Sequence, residues 1–282
     1  MKSFYHEFQR KIGDIEMSID KDRIVEERKA IENYVESIYV YDNAGVCLTS
    51  CGIKPENLDE NIVSGFFTAI KKFGQKLIPG TVVKSLIMSG HKLFYNNVEN
   101  ITFCIQCYDD LPNQVIDYIL NKISDKFLEV YQDYLPIRNG NITIFSEFNN
   151  YLLQFMEQPL IEGLLEDFGY KVLSEGVILF DENQDKILFA KVPEEYSSKK
   201  QISMSGMLVN FAKKLSYEYQ GGDVNSILIS SENRWICVSK RENFYIIVLF
   251  SKTKDIELNI IVERTEEILD NILKMLKIEL KK

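Results

Sequence analysis

Histidine is nearly missing from this chain: His6 and His91 are the two copies among 282 residues. A nucleophile–His–acid relay would have to use one of them, and no G-x-S-x-G turn lifts a serine into place for it. The phosphate cradles G-x-x-x-x-G-K-[ST] and G-x-G-x-x-G are also missing, so the chain is not expected to hold a nucleotide as an ordinary GTPase does. Gly221-Gly222 reads as a turn before a strand. Long apolar runs are lacking too. The longest, Phe244 to Phe250, has the length of a strand, far short of a bilayer span. The opening residues MKSFYHEFQRKIGDIEMS carry charge throughout and have no apolar centre, so they are not expected to act as a secretion signal. A cytoplasmic location is the expectation.

Cysteine is sparse. Cys47, Cys51, Cys104, Cys107 and Cys237 make an odd count, which without a secretion signal points to buried free thiols rather than disulfides. Cys104 and Cys107 have C-x-x-C spacing but fall in a predicted strand, where residues three apart face opposite sides. A zinc knuckle needs a turn between its thiolates and a second ligand pair. No metal, no cofactor and no catalytic residue is expected, and both histidines are expected to face solvent, His91 from a hairpin turn. Runs of basic residues are absent and the net charge is -9. Such a surface repels phosphate backbones and anionic lipid, so nucleic acid is not an expected partner. Neighbouring acids such as Asp109-Asp110, Glu194-Glu195 and Glu266-Glu267 are what 42 acidic residues produce on solvated faces.

What the chain does have is a repeat. IYVYD at 38–42 is matched by VILFD at 177–181, and Ser64-Gly65 by Ser205-Gly206. VKSLIMSG at 83–90 is matched by VNSILISS at 224–231, and ENITFCI at 99–105 by ENFYIIV at 242–248. The four segments keep one order at offsets of 139 to 143 residues. With 45% hydrophobic residues, a chain of this length can build two cores.

Period assigns elements to each copy. The first opens with a strand from Ser37, a turn at Asp42 to Gly45 and a returning strand at Val46 to Thr49. Asp42 and Asp181 are expected to accept turn N–H groups. A helix over Ile62 to Leu77 follows, capped by Asp59 or Asn61. Strands at Val82 to Met88, Lys92 to Asn96 and Asn100 to Tyr108 are joined by turns at Ser89-Gly90 and Asn96-Asn97, and a helix over Gln114 to Tyr134 closes the copy. The second copy repeats this with strands at Gly176 to Phe180, Lys186 to Ala190, Val224 to Ser230, Arg234 to Ser239 and Asn243 to Ser251. Its closing helix covers Glu257 to Ile278. Trp235 takes the strand position equivalent to about Phe94 in the first copy. Each copy reads β-β-α-β-β-β-α. The fold class is therefore α/β (α+β): two tandem domains, each a five-stranded antiparallel sheet with one layer of helix over it.

The central helices carry wide apolar faces, roughly 140° of arc. Ile62, Val63, Phe66, Phe67, Ile70, Phe73 and Leu77 form the first. Met204, Met207, Leu208, Phe211, Ala212, Leu215 and Tyr219 form the second. Either the whole face packs on its own sheet, or the excess buries a second surface. The candidate interface residues are Ile62, Phe66, Phe73, Met204, Met207 and Phe211. Outside the copies, residues 1–35 read as a charged helical segment and 136–170 as a helical bridge. In the bridge, Ser146 caps one helix that ends near Pro159, and Gly169 caps the next. The domain boundaries read 1–35, 36–135, 136–170 and 171–282.

The β-β-α-β-β-β-α order, the strand–Asp-turn–strand opening and IVSGFFTAIKKFGQKL at 62–77 resemble the longin and roadblock families over about residues 36–134 and 173–279. That resemblance implies a non-catalytic platform. Such domains pair through a central helix and a sheet edge, and the pairs hold or regulate small Ras-like GTPases in trafficking and signalling complexes. The expected partner is thus a small GTPase or a longin- or roadblock-type protein, with a homodimer or an intramolecular domain pair. The added helices depart from the family pattern. The wealth of Ile, Lys, Asn and Tyr resembles the residue usage of archaeal and other AT-rich genomes. The competing reading is a small-molecule sensor pair of PAS or GAF type. Those domains usually place several short helices where this chain has one longer helix.

Overall fold

A computed structural model describes residues 30–52, 60–77, 84–88, 90–108, 110–135, 141–193, 197–218, 224–252 and 257–279. The first unit contains β1 (Val35–Asp42), β2 (Cys47–Gly52), α1 (Glu60–Leu77), β3 (Ser85–Met88), β4 (His91–Val98), β5 (Ile101–Tyr108) and α2 (Asn113–Tyr131). Two helices follow, α3 (Phe148–Met156) and α4 (Leu160–Lys171). The second unit contains β6 (Gly176–Asp181), β7 (Lys186–Lys191), α5 (Ser198–Glu218), β8 (Ser226–Ser230), β9 (Arg234–Arg241), β10 (Phe244–Ser251) and α6 (Leu258–Glu279). The sheets run β2-β1-β5-β4-β3 and β7-β6-β10-β9-β8, antiparallel throughout. The fold class is the expected one, and the element order repeats.

The repeat extends to backbone detail. Asp42 Oδ1 accepts the N–H groups of Ala44 and Val46, both at 2.9 Å, and Asp181 Oδ1 accepts those of Asn183 and Gln184 at 2.9 and 3.3 Å. The residue after each aspartate donates its N–H to the far hairpin, Asn43 to Asn100 and Glu182 to Asn243. That hairpin corrects one expectation. Asn96 and Asn97 lie within β4, and the turn is Glu99-Asn100, between the paired residues Val98 and Ile101. Its counterpart is Glu242-Asn243, and both glutamates have positive φ, 54° and 51°. By this register Trp235 is the repeat equivalent of Lys92 rather than of Phe94.

The layering differs from expectation. Helices cover both faces of each sheet. In the first unit Ile38, Val40, Phe103 and Ile105 face α2, while Tyr39, Tyr41, Tyr95 and Cys104 face α1. The second unit divides likewise, Val177, Leu179, Ile246 and Val248 packing under α6 and Ile178, Val238 and Ile247 under α5. Alternation along each strand sends successive residues to opposite helices. Nearly every position of β1, β5 and β10 is therefore buried.

The helical bridge belongs to both cores. Phe145, Phe148, Leu152 and Phe155 pack with Phe127 and Tyr131 of α2, and Leu165, Phe168 and Val172 enter the second core. Ile161 and Ile268 touch both, and Met275 of α6 is wholly buried in the first. Gln114 of α2 donates to Glu267 and accepts from Asn271, two residues of α6. Among the described residues the units thus join through α2, α4 and α6, and not through the central helices α1 and α5.

Two caps differ from expectation. The Ser146 hydroxyl donates to the Thr143 carbonyl at 2.7 Å instead of capping α3. Gly169 lies inside α4, and the helix ends with Leu173 at φ 54°, where Ser174 N–H returns to Gly169 and Leu173 N–H to Tyr170. This is a Schellman ending with leucine in the usual glycine place. A Cβ on Gly169 would meet Ser174 Oγ at 3.0 Å, which accounts for the glycine. The expected helical segment over residues 1–35 falls largely outside the described residues. Its last part is a 3-10 turn at Ile31–Asn33 leading into β1. Asp59 also lies outside, and Asn61 is the second residue of α1, its side chain outside the described residues.

Candidate functional site

The apolar positions of α1 split into two lines. Val63 and Phe67 pack on the sheet with Tyr39, Tyr41, Leu93 and Tyr95. The Phe67 ring meets Tyr39 and Tyr95 edge-on at centroid distances of 6.0 and 5.7 Å. Ser64 fixes the helix start by donating to the Gly45 carbonyl at 2.6 Å. Ile62, Phe66 and Phe73 face away, with 67%, 51% and 63% of their surface exposed. Together with exposed Ala69 they follow the i, i+4, i+7, i+11 spacing of a single helical line. Gly65 beside them has open space where a Cβ would project. A partner backbone could therefore approach closely.

The second unit differs. The residues that correspond to Ile62, Phe66, Ala69 and Phe73 are Ser203, Met207, Asn210 and Lys214. Met207 and Met204 are exposed, but Asn210 and Lys214 make the remainder of that line polar. The side chain of Phe211, the sixth candidate, lies outside the described residues. The two central helices are alike in place and unlike in outer surface.

Among the described residues the chemistry-bearing side chains are not assembled into a centre. All five cysteines are buried, and none is in a disulfide. Cys104 faces α1 and Cys107 faces α2, on opposite sides of the sheet. Burial, and then Cys107, pushes the Cys104 thiol well above its ordinary value. His91 is the first residue of β4, with Nδ1 2.9 Å from Glu36 Oε2, rather than a turn residue. Gln106 Nε2 donates to the same carboxylate at 2.7 Å. His6 lies outside the described residues. A cleft of about 180 Å³ between α2 and the bridge is lined by Tyr118, Gln158, Glu162 and Glu166. Burial, helped by Asp167 and Glu166, pushes the Tyr118 phenol up to about 12. This is an acidic surface with no nucleophile in it. Among the described residues no three His, Cys, Asp or Glu side chains gather as metal ligands, and no helix is long and apolar enough to cross a membrane.

No family model matches this chain, and no curated protein does. Solved structures similar to it include Myxococcus xanthus MglB, at 12% identity and a TM-score of 0.37, over 42% of this chain and 87% of that one. A Roadblock/LC7 domain from Streptomyces avermitilis matches at 12% identity and a TM-score of 0.36, over 40% of this chain and 95% of that one. The gliding protein MglB of Thermus thermophilus matches at 12% identity and a TM-score of 0.33, over 38% and 82%. Each half of the chain has the β-β-α-β-β-β-α order on which the resemblance to the roadblock and longin families rests.

Proposed function

We propose that this protein is a non-catalytic interaction platform whose docking face is the outer line of α1, and that its partner is a small Ras-like GTPase or a subunit of a trafficking or signalling complex. The observation that carries the reading is the exposure of Ile62, Phe66 and Phe73 on a helix already seated by Val63 and Phe67. Large apolar side chains aligned on one exposed face mark an interaction site more often than isolated ones do. The element order supports a platform of longin or roadblock type, and that resemblance supplies the GTPase. Met204, Met207 and Phe211 contribute a second, weaker contact on α5. The chain divides into domains at 36–135 and 171–282, with 136–170 as the strut between them.

The test is capture of small GTPases on the full chain, in GDP and in a non-hydrolysable GTP analogue. Stoichiometric, saturable recovery of a GTPase in one nucleotide state is the expected result. Failure to bind any GTPase of the source cell in either state would remove the GTPase from the reading.

A further inference from the structure

The seam between the first sheet and α1 encloses three hydroxyls that have no hydrogen-bond partner among the described residues: those of Tyr41, Tyr95 and Thr68. These residues are 1%, 6% and 8% exposed. Tyr41 lies two residues beyond Tyr39 on β1 and shares its face. Tyr39 pairs with Cys104, and Cys104 pairs with Tyr95 on the next strand. The Phe67 ring touches both tyrosines, at centroid distances of 6.4 and 5.7 Å. Thr68 follows Phe67 on the helix, its Oγ1 against the β1–β2 turn, where a Cβ on Gly45 would come within 3.0 Å.

A sealed hydroxyl without a partner is costlier than an apolar group of the same shape. The fold itself does not call for hydroxyls here. At the corresponding places the second unit has Phe180, Val238 and Val209, with Ile247 where Cys104 stands, and all four pack in one apolar layer. Of these four positions, those of the first unit alone carry polar groups. Hydroxyls both donate and accept, so each can supply one of the two to four polar partners that an enclosed small molecule needs. Burial pushes both phenols and the Cys104 thiol upward, so every group on the seam is neutral and none could balance a charge. We infer that this seam is a binding site for a small neutral hydrogen-bonding species, water or a molecule of a few heavy atoms, held by the hydroxyls of Tyr41, Tyr95 and Thr68. The inference is independent of the docking face, which lies on the other side of α1.

Tyr41→Phe and Thr68→Val, each in the full chain, delete one hydroxyl and nearly preserve shape. With the seam occupied, each deletion strands a bond to the occupant, and Tm falls by about 2–4 °C. A fall in either variant supports the site, and a rise or no change in both overturns it. Native mass spectrometry then separates the sources: added mass that disappears in the double variant identifies a molecule, and no added mass leaves water. Should the variants fail to fold, a high-resolution crystal structure of the unaltered chain decides. Density within hydrogen-bond distance of at least two of the hydroxyls supports the site, and a dry seam overturns it.

Discussion

Leu173 shows at the scale of one residue how far local chemistry can be read. Asp42 and Asp181 were legible because an aspartate side chain meets its own turn within four residues, so no distant contact enters the inference. Leu173 was not legible. Sequence favours glycine for the left-handed position that ends a helix, and Gly169 drew the ending four residues too early. Here β6 must follow α4 immediately, and Ser174 and Val177 crowd Gly169, so the tertiary path sets the turn on a leucine. Leucine in the left-handed region costs about 1–2 kcal/mol. Leu173→Gly is therefore expected to raise stability by about 1 kcal/mol, read as a higher urea midpoint at unchanged slope. The hydroxyls of Tyr41, Tyr95 and Thr68 were missed although the signal was in hand: IYVYD against VILFD already sets Tyr41 against phenylalanine. Comparing the copies for polarity, as well as for likeness, finds them.

Among the elements, strands and helices followed their periods closely, and the layers did not. Alternation predicts a sheet with one solvated face, which led to one layer of helix. The contrary signal lay in IYVY and FCI, whose successive residues are all apolar or aromatic, as strands buried on both faces are. Burial of β1 and β5 on both sides follows from α1 and α2 covering opposite faces. The bridge was legible as packed structure because Phe148, Tyr151, Phe155 and their neighbours are too aromatic for a free linker. Its place was not, since sequence does not say which surface receives them. Phe148 lies against Phe127 with ring centroids 5.1 Å apart, and it is nearly wholly buried. Phe148→Ala is expected to cost about 3–5 kcal/mol, measured by denaturant unfolding. A loss below about 1 kcal/mol would mean that α3 is not part of the first core.

At the scale of the molecule, the tandem copy is not, among the described residues, a pair joined through its central helices. Terminal helices and the bridge join the units, leaving α1 and α5 on the outer sheet faces. Met275 reaches from the second unit into the first core, and Ile161 and Ile268 serve both. Such shared burial couples the units. Trp235, the one tryptophan, reports on the second unit alone, and its fluorescence is expected to change at the same denaturant concentration as the far-ultraviolet circular dichroism of the whole chain. Two separated transitions would show that the shared contacts do not hold the units together.

The two outward helices then differ in what they offer. The line on α1 is Ile62, Phe66, Ala69 and Phe73, and the matching line on α5 is Ser203, Met207, Asn210 and Lys214. The most direct measurement compares Phe66→Glu with Met207→Glu in the full chain, by binding to the captured partner and by Tm. Phe66 is half exposed and Met207 more so, which leaves both substitutions nearly neutral for folding. Phe66→Glu is expected to weaken binding at least tenfold at unchanged Tm, and Met207→Glu several-fold at most. Full binding by Phe66→Glu, with binding lost in Met207→Glu, would contradict a docking face on α1.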